Sequence, residues 1–107
     1  MSIAPTPPAP YYAVIFTSIQ TAPDKQYAAM AAAMVKLAAQ QPGFLGMESA
    51  RDALGITVSY WASLESIAAW QRNSAHLVAQ QRGREDWYAE FKTRICKVER
   101  DYGFQHK

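Results

Sequence analysis

The chain has 107 residues, half of them apolar and 12% aromatic, a composition that suits one globular domain and excludes a disordered chain. Its net charge of +2, with 11 basic residues interleaved among 9 acidic ones, excludes the dense basic surface of a nucleic-acid binder. A single cysteine, Cys96, rules out an internal disulfide and a cysteine-based metal cluster, and it suits a reducing cytoplasm.

No apolar run approaches the roughly 20 residues that span a bilayer, and the start lacks a basic stretch followed by an apolar block. The expectation is a cytoplasmic protein without a membrane partner. Residues 1–10, "MSIAPTPPAP", are dense in proline, which fixes φ and cannot donate to a ladder. They read as a flexible, polyproline-like lead-in to a domain over 11–107.

"YYAVIFTSI", 11–19, is aromatic and β-branched and predicts a strand. Tyr12, Val14 and Phe16 point one way, and Ala13, Ile15 and Ile19 the other. Both faces are apolar, so both need cover. "TAPD" then opens a helix, with Thr21 as cap, Pro23 in the first turn and Asp24 at the positive end. From Asp24 to Gln41, Tyr27, Met30, Met34 and Leu37 form one stripe at spacings of three and four. "QPG", 41–43, stops it.

"FLGMESARD", 44–52, and "GITVSYWAS", 55–63, read as two strands joined by a short turn. Ser63 caps a second helix with Ile67, Trp70 and Ser74 on its inner face. "RNS", 72–74, is poor helix material and predicts a break, with a continuation through Leu77 and Val78 to Gly83. "REDWYAEF" predicts a further helical turn with Arg84, Trp87, Tyr88 and Phe91 on one side. "KTRICKVERDYGF", 92–104, predicts a long last strand with a buried Cys96 on the face of Val98, Tyr102 and Phe104.

The order β-α-β-β-α-β is the ferredoxin-like, α+β arrangement: a four-stranded antiparallel sheet with both helices on one face. Two helices leave the other apolar face bare. A second copy packed sheet to sheet would cover it, so a homodimer is expected.

With these elements in place, the segments "QPGFLGME" (41–48), "YWASLE" (60–65), and the pair Trp70 and His76 resemble the antibiotic biosynthesis monooxygenase (ABM) superfamily of dimeric α/β barrels. The resemblance extends over 11–104. It implies a homodimer with a small pocket per subunit between helices and sheet. It further implies a small cofactor-independent monooxygenase acting on a planar aromatic or polyketide-like molecule.

Haem-binding or haem-degrading members of the superfamily are an alternative. In these a histidine near the end of the second long helix ligates the iron, with a helix tryptophan and a first-strand asparagine completing the triad. By this resemblance the tryptophan matches Trp70, and His76 stands four residues earlier than the ligand. The asparagine position falls at Phe16. A non-catalytic dimeric small-molecule-binding or stress protein is a further alternative.

The site expected on these grounds has His76 as base, beside Trp70. Phe16 forms the floor, and Tyr60 and Trp61 contact the ring; no cofactor or metal is needed unless haem is bound. The residues themselves leave other roles open. Trp70 and Trp61 also suit core packing, His76 suits a half-exposed histidine bonded to backbone, and the turn "QRGRED", 81–86, suits a solvated connection.

Overall fold

The computed structural model describes residues 2–21, 25–80 and 88–106. The elements run β1 (Tyr11–Gln20), α1 (Lys25–Ala39), β2 (Phe44–Arg51), β3 (Gly55–Trp61), α2 (Leu64–Gln80) and β4 (Tyr88–Val98). They form one antiparallel sheet in the order β2-β3-β1-β4, the ferredoxin-like arrangement. The proposed start of the first helix at Pro23 and Asp24, and the turn at 81–86 with Arg84 and Trp87, lie outside the described residues.

β1 is central because its β-branched and aromatic side chains suit a strand paired on both edges. Val14 sits opposite Ser59 of β3 on one side and Ile95 of β4 on the other. Strand alternation turns Tyr12, Val14 and Phe16 toward the helices, and Tyr11, Ala13 and Ile15 away from them. On the helix side, Val14 packs in one buried cluster with Ala38 of α1, Trp61 of β3 and Ile67 of α2. Trp61 is wholly buried, with Phe44 edge-on at 5.4 Å and Trp70 stacked at 5.8 Å between ring centroids.

The passage from α1 to β2 depends on Gly43, whose φ of 86° lies in the left-handed region. A Cβ there would stand 2.6 Å from the Ser66 side chain, so the glycine also lets the turn approach α2. α2 opens with a reciprocal cap. The Ser66 N–H donates to Ser63 Oγ at 3.1 Å, and the Ser63 N–H donates to Ser66 Oγ at 3.3 Å.

Four expectations are corrected. α2 does not break at 72–74. Ser74 Oγ donates to the Gln71 carbonyl and Asn73 Nδ2 donates to Gln41 Oε1, so these polar groups find partners without breaking the helix. Tyr88 to Phe91 are strand rather than helical turn, because β1 continues to Gln20 and offers them an edge to pair with. The last strand stops at Val98 rather than 104. Its partner there is Tyr11, and the preceding Pro10 has no N–H to extend the ladder. Cys96, expected to be buried, is exposed on the uncovered face of β4.

Residues 2–10 make specific contacts with the domain. The Ala4 N–H donates to Glu48 Oε2 at 2.8 Å, and Thr6 Oγ1 donates to the Tyr11 hydroxyl at 3.0 Å. Gly46 leaves room for this passage, since a Cβ there would meet that of Ala4 at 2.9 Å.

Trp61 is the largest fully buried side chain between helices and sheet, so Trp61→Ala should lower unfolding free energy by about 3–5 kcal/mol in urea titrations. A loss below about 1 kcal/mol would mean that the cluster around it is not the core.

Candidate functional site

The buried cluster occupies one end of the helix–sheet interface. Beyond it, small residues on α1 leave a cavity of about 870 Å³. Tyr27, Met30 and Met34 reach it from α1, at the three- and four-residue spacing that puts them on one helix face. Trp70 and Ser74 enter from α2, one helical turn apart, and Val14 and Phe16 from β1. Tyr88 and Phe91 close the β4 side.

The rings at that end hold one another in fixed orientations. Phe16 lies 5.5 Å from Phe91 in a stacked pair and 5.4 Å from Tyr88 edge to face. Tyr88 also meets Tyr27 edge to face at 5.8 Å, which ties β4 to α1. Rings and flexible thioethers make a wall suited to a flat apolar molecule.

Of the five residues expected at the site, Phe16 and Trp70 line the cavity together. Trp61 lies behind Trp70 and belongs to the core, its indole N–H donating to Ser59 Oγ at 2.9 Å. Tyr60 neighbours Trp61 on a strand and so points to the opposite face, where its hydroxyl donates to Glu48 Oε1 at 2.7 Å. Burial, first, and then the bond to Glu48 push its pKa up to about 12.

His76 is exposed and is not among the residues that line the cavity. Six residues of helix separate it from Trp70, a rotation of about 240°, and the unbroken α2 does not undo it.

Arg51 has no place in the expected site, and it is the best-seated cation there. Across the hairpin it pairs with Gly55, which in turn pairs with Ser18 of β1. The guanidinium crosses over Gly55 and donates from Nη2 to Ser18 Oγ and from Nη1 to the Ser18 carbonyl at 3.5 Å. Gly55 has to be a glycine for this, because a Cβ would come within 2.2 Å of Arg51 Cζ. The same carbon lies 6.0 Å from the centre of the Tyr27 ring. In the sequence the only hint is an arginine next to a turn, a position usually solvated. The pairing of Arg51 with a glycine becomes visible only with the register.

Among the described residues, no group of three or more His, Cys, Asp or Glu side chains converges on a point that could hold a metal. The described cavity lining contains no histidine or cysteine, so a haem seated there would lack the His76 ligand that the haem alternative requires.

Fold and cavity together define a small ferredoxin-like α+β domain with an aromatic-walled chamber between its helices and sheet. The family profile described as "Antibiotic biosynthesis monooxygenase" matches residues 10–82, and the chain belongs to this ABM family. It is 48% identical over 105 residues to the uncharacterized protein YqjZ of Bacillus subtilis (strain 168), covering 96% of this chain and 92% of that protein.

The fold is shared with PA3566 from Pseudomonas aeruginosa at a TM-score of 0.64 and 21% identity, over 88% of this chain and 97% of that one. It is also shared with SnoaB, a cofactor-independent oxygenase from Streptomyces nogalater, at a TM-score of 0.66 and 10% identity. That match covers 87% of this chain and 97% of the other.

The Tyr60 environment predicts a specific pH dependence. Because its folded pKa stands near 12 against an ordinary 10.0, the folded chain keeps a proton that the unfolded chain releases. That contribution to stability is complete below pH 10 and is lost as pH rises toward 12. Urea titrations across this range should show a steeper decline for the wild type than for Tyr60→Phe. Parallel declines would show that the Glu48 bond does not hold the proton.

Proposed function

We propose that this chain is an ABM-type oxygenase that binds a planar aromatic small molecule in the helix–sheet cavity and oxidises it with dioxygen, using no bound metal or flavin. The observation that carries this reading is the cavity itself, roomy and walled by Phe16, Trp70, Tyr88 and Phe91. Family membership supports the reaction type, and the fold shared with an oxygenase described as cofactor-independent supports the mode of chemistry.

In this scheme an anthrone-type CH₂ loses a proton to water at the cavity mouth. The carbanion passes one electron to dioxygen, the radical pair recombines as a peroxide, and the peroxide expels water. The net change is CH₂ to C=O, with one dioxygen consumed and one water released. The chain contributes orientation and exclusion of water: the flanking rings hold the substrate plane and limit solvent at the reacting carbon. His76, outside the lining, takes no part.

A second copy of the chain completes the working unit in this proposal. Ile15 and Val58, paired on the face away from the helices, are only half-buried in the single chain. Tyr102 and Phe104 extend past the end of β4, 100% and 88% exposed. A facing sheet would cover both groups. The cytoplasm suits such a protein, since exposed Cys96 stays reduced there.

Aerobic incubation with an anthrone should show oxygen consumption matched to quinone formation and well above the protein-free rate. Trp70→Ala should raise KM about tenfold by removing a half-buried aromatic wall, while His76→Ala stays within about twofold of wild type. Uptake no faster than without protein would end the oxygenase reading. Separately, sedimentation equilibrium should give twice the chain mass of 11.9 kDa, and Tyr102→Ser with Phe104→Ser should shift it toward the single-chain value. A wild-type chain that stays single at micromolar concentration would remove the dimer.

A further inference from the structure

We propose that the substrate of this cavity is an aromatic carboxylate, and that Arg51 binds its carboxylate group. The inference rests on the reading of the cavity as the substrate site and adds the charge of what enters it.

The described lining contains no aspartate or glutamate, and Arg51 is the charged residue that strand parity turns toward the helices, Lys92 being turned to the opposite face beside Thr17. An apolar chamber with one sign of charge at its wall concentrates ligands of the opposite sign. Such a chamber uses its few polar groups to set ligand orientation.

Arg51 is seated rather than trailing in solvent. Ser18, only 2% exposed, accepts from both terminal nitrogens, and Gly55 leaves the space that the guanidinium occupies. Stitching β2 to β1 across β3 would by itself explain the Ser18 bonds. It does not explain why the group also borders the cavity beside the Tyr27 ring with further N–H donors to offer. A planar guanidinium held at the edge of an aromatic slot matches the two coplanar oxygens of a carboxylate on a flat ring.

The test compares anthraquinone-2-carboxylate with its carboxamide, which has nearly the same shape and no charge, by quenching of tryptophan fluorescence. Wild type should bind the acid at least about tenfold more tightly than the amide, the worth of one charge-assisted hydrogen bond, and the gap should narrow as salt rises. Arg51→Gln should close most of the gap while leaving the amide's Kd within about twofold, and Arg51→Lys should keep part of it. Lys92→Gln, a change on the opposite face of the sheet, should leave the gap within about twofold.

If Arg51→Gln does not fold, the salt dependence of the wild-type gap and the Arg51→Lys result decide. Equal binding of acid and amide by wild type overturns the carboxylate inference and leaves the aromatic cavity standing. Binding of neither compound overturns the cavity reading and this inference with it. A full gap in Arg51→Gln overturns the assignment to Arg51.

Discussion

The packing of Trp61 governs the helix–sheet interface on which the site depends. Its indole ring fills one end of that interface, flanked by Val14, Ala38 and Ile67, with Phe44 and Trp70 closing around it. A residue this large, fully buried and with its N–H satisfied by Ser59, holds the helices at a set distance from the sheet. At the other end α1 brings alanines and methionines to the same spacing. They do not fill it, and the cavity is the remainder. A packed end thus props open a hollow one, and Trp70 belongs to both, stacked on Trp61 and facing the cavity.

Strand alternation gives the two faces of the sheet different polar groups. The helix face has the cationic Arg51 at an otherwise neutral, apolar chamber. The other face has carboxylates holding tyrosine protons: Tyr11 donates to Asp101, and Tyr60 donates to Glu48. These bonds raise both tyrosine pKa values, for Tyr11 mainly through Asp101 and for Tyr60 mainly through burial. Their structural use is to tie the ends of the chain down. The lead-in reaches Glu48 through Ala4, and the segment after β4 reaches Tyr11 through Asp101. Each of these tyrosine hydroxyls is committed to a carboxylate.

Much of the architecture was legible in the residues because it depends on local periodicity. The β-branched run at 11–19, the stripe Tyr27, Met30, Met34 and Leu37, the stop at "QPG" and the Ser63 cap each predict an element that the fold contains. Local rules failed where tertiary partners took over. "RNS" reads as a helix break, yet Asn73 and Ser74 find partners that let α2 continue. "DWYAEF" has helical spacing, yet Tyr88 to Phe91 pair with the free edge of β1.

The site divides along the same line. Residue order and type set the fold class, the family resemblance, and the inward face of β1 that carries Phe16, because alternation and helical spacing are properties of neighbours along the chain. Trp70 was legible for the same reason, lying four residues from Ser74 on one helix face. The side chains of Tyr60, Trp61 and His76 suit site chemistry by type alone. Strand parity, core depth and helical phase put them outside the cavity lining. Arg51 needed the folded chain: its seat is made by Gly55 and Ser18 on two other strands, and register between strands is a long-range quantity that no short stretch of sequence contains.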